Sequence, residues 1–345
     1  MTRSLRHVLA ALACLVLCGT LLAACGGDDE KEAGGARELL ESTFGSGAAA
    51  IDNGRLNLTF QLDPKGLIAL GGPIKLAADG PFSVPGKGQL PHFEVDFAAT
   101  LARDVFRGTA LSTGRAAFVR LDGRNYKVDR EAVAAVRESL ADAEAKKQPG
   151  LKAFGIDPLR WISGAQERGE ENIAGVDTTR ISGNVKVATL LADIDKLLSQ
   201  AGGSGGGLGG LLSPKIRQQI SDGVKTAKVD VWTGTDDKIL RQLAVAIDFA
   251  FKGGQTPIPG LESGKIDLRL RLTDVNETKL TVTAPADARP LRDVTGSSIG
   301  EFLQGIGNGL TGKGASIAGA PFLACITGAR GSTTSLVRCI SRLAE

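Results

Sequence analysis

Between residues 55 and 62 apolar and polar side chains alternate without a break. Leu56, Leu58, Phe60 and Leu62 stand against Asn57, Thr59 and Gln61. A period of two puts the four apolar groups on one side of a strand and leaves the other side to water. The same alternation returns at 93–99, where Phe93, Val95, Phe97 and Ala99 oppose Glu94, Asp96 and Ala98. Strands are also expected at 105–111, 115–121 and 124–128. The intervening pairs Arg103-Asp104, Thr113-Gly114 and Asp122-Gly123 read as turns, and Asp-Gly is a strong hairpin signal. Residues 166–173 and 176–183 predict a second hairpin across Ala174-Gly175. The clearest strands are 226–233 and 239–251, joined through Gly234-Thr235-Asp236-Asp237, and then 265–275. Leu243, Val245, Ile247 and Phe249 share one face of the second, and Ile266, Leu268, Leu270 and Leu272 one face of the third. Residues 280–283 predict a last edge strand ended by Pro285, and the Gly/Pro-rich stretch 71–91 predicts turns around a short strand. Strands with one wet face belong to an antiparallel sheet.

Helical segments are expected in six places. Residues 36–44 carry Leu39, Leu40 and Phe44 on one side, and Asp129 caps a helix through Ala145 bearing Val133, Val136 and Leu140. A helical turn is expected at 158–163. Residues 187–200 form an apolar stripe of Leu190, Leu191, Ile194, Leu197 and Leu198. Residues 214–223 start with Pro214 in the first turn, where its missing N–H costs nothing. The glycine-rich stretch 202–210 reads as a loop inside one domain, because the same architecture resumes beyond it. Residues 297–310 read as a helix broken by glycines.

The first residues have a different logic. Arg3, Arg6 and His7 precede an almost wholly apolar run from Val8 to Ala24, of signal-peptide length and short for a spanning helix. It stops at Leu22-Ala23-Ala24-Cys25, which looks like a bacterial lipobox. Small residues let a peptidase reach the backbone, and the Cys25 thiol can carry the diacyl anchor. Residues 1–24 are thus expected to be a lipoprotein signal. Residues 25–35 would be a charged tether holding the protein to the extracytoplasmic face of the cell membrane. An ordinary signal peptide with an incidental Cys25 is the alternative.

Loss of Arg3 and Arg6 with the leader takes the 41 basic residues to 39, against 38 acidic ones. That balance argues against a nucleic-acid partner, which needs a concentrated basic face. Cys14 and Cys18 leave with the leader and Cys25 is spent on lipid, so Cys325 and Cys339 remain as an even pair in an oxidising compartment. They are expected to form a disulfide clipping residues 321–343; two free buried thiols are the alternative. His92 is the one histidine left, beside Pro91 at a strand start. No GxSxG elbow, HExxH helix, Walker loop or GxGxxG after a strand appears. Asp236-Asp237 reads as a turn pair, and Asp193, Asp195 and Asp236 lack EF-hand spacing. No enzyme, metal site or cofactor is therefore expected.

Lys228-Val229-Asp230-Val231-Trp232, a turn, Lys238-Ile239-Leu240-Arg241, then 243–249 and a strand at 265–274, together resemble the actinobacterial lipid-carrier lipoproteins of the LppX/LprG type. That family is related in shape to the LolA carrier. The helix before residues 55–62 resembles the family opening, and the likeness spans residues 36–285. It implies an α+β fold: a curved antiparallel β half-barrel with helices on its concave face, around an apolar cavity for acyl chains. Residues 286–345 would be a C-terminal extension. The ligand would lie between Leu243, Val245, Ile247, Phe249, Leu268 and Leu270 of the sheet and Leu190, Ile194 and Leu197 of a helix, although the same rows could equally close into solid core. The function implied is binding, and shuttling, of a lipid or other amphiphile, with an envelope transporter as partner. A structural or interaction lipoprotein with a filled core is the alternative, followed by a glycan- or peptide-binding module.

Overall fold

A computed structural model describes residues 27–66, 72–84, 89–101, 104–145, 156–201, 214–252, 261–277, 280–295, 324–325 and 328–342. The leader with Cys25, the glycine-rich stretch 202–210 and the segment 297–310 lie outside the described residues.

Among the described residues, twelve strands form one open sheet. They are β1 Asn53–Lys65, β2 Ile74–Ser83, β3 His92–Leu101, β4 Asp104–Thr113, β5 Ala117–Leu121, β6 Arg124–Lys127, β7 Ile162–Ile173, β8 Val176–Val185, β9 Val224–Gly234, β10 Leu240–Ala250, β11 Ser263–Thr273 and the two-residue β12 Arg289–Pro290. The helices are α1 Gly27–Phe44, α2 Arg130–Ala145, α3 Pro158–Trp161, α4 Val187–Ala201, α5 Pro214–Gly223, α6 Arg292–Thr295 and α7 Thr333–Arg342. Strand order is β12-β6-β5-β4-β3-β2-β1-β11-β10-β9-β8-β7, so the sheet does not close on itself. Every pairing is antiparallel except the short β12–β6 contact. This is the expected α+β class, an open antiparallel sheet with helices, and its strands come from as far apart as Asn53 and Pro290.

Sequential hairpins account for most of the sheet. Asp122 and Gly123 have φ of 48° and 76°, and Ala174 and Gly175 54° and 88°. Both turns therefore take the left-handed pair that matches strand twist. Two junctions join strands distant in the chain: β12 lies beside β6, and β1 sits between β2 and β11, with Leu56 opposite Leu272 and Leu62 opposite Ile266.

Three expectations are corrected. Residues 74–83 form a full ten-residue strand rather than a short one among turns. Its Ala77, Ala78 and Gly80 blunt the alternation, yet both edges are paired by β1 and β3. Residues 280–283 are not a strand; Val282 instead packs on Leu111 and Phe118, and the edge is taken by Arg289–Pro290 beside β6. The first helix starts at Gly27 instead of Ala36.

Candidate functional site

The register sorts the sheet into two faces. One cross-strand row runs Ile181, Val231, Leu243, Leu270, Leu58, Ala78; the next runs Val229, Val245, Leu268, Phe60, Leu76. Both lie on the apolar face. Helices cover that face at its two ends. At the β7–β10 end, Ala36, Leu40 and Phe44 of α1, with Trp161, Val187, Leu190 and Leu191, pack on Ile181, Val229, Val231, Leu243 and Val245. At the other end, Leu291 and Val294 with Val337 of α7 cover Leu121, Tyr126 and Phe97.

The C-terminal cover is tied down by specific bonds. Asp122, in the β5–β6 turn, accepts hydrogen bonds from the Ser332 hydroxyl (2.8 Å) and from the backbone N–H groups of Thr333 and Thr334 (3.2 and 2.9 Å). It thereby satisfies the orphan donors of the α7 N-terminus from a distant strand turn. Partial burial opposes its ionisation, but these donors outweigh that and hold the carboxyl below its ordinary value. Thr333 also gives its hydroxyl to the Arg107 carbonyl (2.7 Å) and accepts from the Arg107 N–H (3.0 Å). A disulfide joins Cys325 to Cys339 within this lobe.

Between the two covers the apolar face opens. Along the second row, exposure rises from 1% at Val229 and 4% at Val245 to 45% at Leu76, with Leu268 and Phe60 partly buried in between. Leu56, Leu58, Leu62, Ile266 and Leu270 are likewise only partly buried. Central strands normally hold the most buried residues of a sheet; here the two flanks do. An apolar trough therefore crosses β2, β1 and β11.

The expected ligand residues divide along this gradient. Leu243, Val245 and Ile247 are buried in the α1/α3/α4 core, at 5%, 4% and 8% exposure, and Phe249, buried at 7%, lies against Phe251 with ring centroids 5.5 Å apart. Leu268, Leu270 and Leu190 are partly buried against the same core. Ile194 is partly exposed, and the Leu197 side chain lies outside the described residues. Phe60, Leu58 and Leu76 were not among the expected ligand contacts. Their alternation marks them as face residues, but nothing in it tells a covered face from an uncovered one.

The polar face has hollows of its own. One, of about 540 Å³, has Ala77, Ala98 and Gly108 among its lining, with Asp79, Asp96, Arg107, Arg120 and Asp122 around them. A second, of about 720 Å³, shares Ala77 and adds Ala244 and Ala246 between Lys75, Lys228, Asp267 and Arg269. Small side chains on the wet face of the sheet make these depressions. Part of this charge is neutralised by ion pairs. Arg180 bridges Glu171 (3.0 Å) and Asp230 (3.1 Å) and lies 5.2 Å from the Trp232 ring centroid. The Trp232 indole N–H donates to Glu171 (2.8 Å). That bond first, then Arg180, holds the Glu171 carboxyl below its ordinary value. Arg55 pairs with Asp79, which also accepts from Asn57 (3.2 Å).

No group of three or more His, Cys, Asp or Glu side chains converges into a metal cage among the described residues. His92 pairs across the sheet with Ser83 and Thr113. Asp193 is fully buried on α4, accepts the Asp157 N–H (2.9 Å) and lies 3.6 Å from Arg160.

No protein-family model matches this sequence, and neither does any curated protein. Among solved structures, LprF from Mycobacterium bovis is 17% identical over 73% of this chain and 97% of its own, with a TM-score of 0.39. The lipoprotein LppX of Mycobacterium tuberculosis is 16% identical over 66% of this chain and 89% of its own, with a TM-score of 0.32. Both are lipoproteins of the LppX/LprG type that the strand motifs resemble.

Proposed function

We propose that this protein is a lipid-anchored protein of the cell envelope that binds, and shuttles, a lipid or other amphiphile on the apolar face of its sheet. The observation that carries this reading is the burial gradient from Val229 and Val245 out to Phe60 and Leu76. Monomeric proteins rarely leave a contiguous apolar band open to water, and such bands mark binding surfaces. Acyl chains suit this one, because each buried methylene contributes about 0.8 kcal/mol and no directional partner is needed. The chain would lie over Leu58, Phe60, Leu268 and Leu270, next to the buried Leu243–Phe249 row and the Leu190 and Ile194 side chains of α4. The lipobox at Cys25 and the LppX/LprG-like strand motifs point the same way.

Mass spectrometry of an organic extract of the purified protein tests the reading, and copurified lipid is expected. Phe60→Asp separates trough from core. It should fold, since position 60 is only partly buried, yet bind a fluorescent fatty acid at least tenfold more weakly. Val245→Asp should fail to fold, because an unpaired carboxylate there costs several kcal/mol. An empty extract together with unaltered probe binding by Phe60→Asp sinks the proposal.

A further inference from the structure

We infer that the larger hollow of the polar face is a phosphate site, which takes a sugar-sized polar molecule or head group carrying a phosphate monoester. The hollow lies on the other side of the sheet from the apolar trough, so the inference stands apart from the lipid-binding reading.

Its volume of about 720 Å³ is that of a small-molecule site, and every residue lining it belongs to a strand. Ala77, Ala244 and Ala246 form a floor of side chains too short to fill the space. The register fixes what stands around that floor. Lys228 faces Ala246, which faces Asp267; Asp267 faces Gln61, which faces Lys75. At about 4.8 Å per strand, the backbones of the two lysines lie about 19 Å apart. Arg269 stands between them, two residues from Asp267 on the same face of β11. Lysine stems are long and flexible, so both ammonium groups can reach a ligand held at Arg269.

The charges around the hollow do not cancel. Asp230 is committed to Arg180 (3.1 Å) and to the Ser182 hydroxyl, and Arg180 also holds Glu171 (3.0 Å). Lys228 donates only to the neutral amide oxygen of Asn184 (2.7 Å). Lys75, Arg269 and Asp267 line the hollow with no hydrogen bond or ion pair among the described residues. Three cations therefore share one carboxylate, an excess of two positive charges. Neighbouring cations on the same face are partnered: Lys265 meets Asp248 at 3.6 Å, and Arg271 makes two bonds to Gln242 (2.9 and 2.7 Å).

Like charges gathered around one depression repel each other and contribute nothing to folding, but they concentrate anions there. A phosphate monoester carries close to two negative charges at neutral pH and three strong acceptor oxygens. It matches both the excess charge and the three cationic donors. A carboxylate brings one charge and a neutral sugar none. Thr59 and Gln61, also on the lining, offer uncharged partners to the hydroxyls of the ligand's body.

Calorimetric titration of wild type, Lys75→Gln, Arg269→Gln and Asp267→Asn with glucose 6-phosphate, glucuronate and glucose tests the site. All three positions are exposed, so each variant should fold. Wild type should bind the phosphate about tenfold more tightly than glucuronate, and glucose more weakly still. Lys75→Gln and Arg269→Gln should each weaken phosphate binding about tenfold, the factor for losing one charge-assisted bond. Asp267→Asn removes the competing carboxylate and should strengthen it several-fold. Dihexanoylphosphatidate separates the sources: its binding, weakened in Arg269→Gln, assigns a lipid head group, whereas binding of glucose 6-phosphate alone assigns a free molecule. Binding of neither phosphate, equal affinity for glucose and its phosphate, or unchanged phosphate affinity in both glutamine variants overturns the site. The fluorescent fatty acid should bind all three variants as it binds wild type, so failure here leaves the lipid-binding reading standing.

Discussion

Asp122 shows how much one side chain does in this protein. It occupies a left-handed turn position, φ 48°, and from there supplies the acceptor for three donors at the start of α7. Replacing it with alanine should cost about 1–2 kcal/mol, as for other lost N-caps, read as a lower midpoint in thermal unfolding. Its pH dependence has a definite sign. The folded carboxyl lies below its ordinary value, so its stabilising contribution is complete above the unfolded pKa of about 3.9. It is lost as pH falls through the lower folded value. Amide exchange in α7 should therefore accelerate below about pH 4, and Asp122→Asn should flatten that response. Gly108 is a second residue-scale constraint. A Cβ there would meet the Phe97 ring at 2.4 Å and the Arg120 carbonyl at 2.8 Å, so Gly108→Val should destabilise the β3–β5 end of the sheet.

At the scale of elements, the C-terminal lobe is a cover held by one disulfide, one cap and a small apolar contact. Cys325 and Cys339 are 14 positions apart, and closing a loop of that size is worth about 3 kcal/mol in the chain-entropy account. Reduction should release α7 first, seen as fast exchange at Leu336 and Val337 while the amides of β9 and β10 stay protected. If the whole sheet unfolds together on reduction, the lobe is part of the main cooperative unit rather than a cover. The strands illustrate what local pattern can and cannot carry. β1, β3, β9, β10 and β11 alternate cleanly and were legible. β2 was legible only as a fragment, because Ala77, Ala78 and Gly80 carry little hydrophobic contrast. Residues 280–283 had the right pattern for a strand, but Val282 buries itself on Leu111 and Phe118 without a ladder. Burial of one apolar group and pairing of a backbone are separate demands, and only the first is written in the side chain.

At the scale of the whole molecule, the proposed anchor and the apolar trough describe one object: a sheet tethered near the membrane surface with an oily band between two covers. Replacing Cys25 with serine should release the protein to the soluble fraction or leave the leader uncut; unchanged membrane attachment would contradict lipidation. The amino-acid sequence by itself determined most of the strands and their faces, the principal helices and two hairpin turns. Each of these depends on a period or a pair of neighbouring residues. The tertiary structure alone decided that β1 pairs with β11, roughly two hundred residues further along the chain, as well as with its neighbour β2. It alone decided that Asp122 caps a helix from the far end of the sequence. It also decided where the apolar rows are closed and where they stay open. Alternation states which side chains avoid water, but whether a helix arrives to cover them depends on the path of the chain through space. For that reason Leu243 and Val245 are core, while Phe60 and Leu76, written in the same alternating pattern, line the trough.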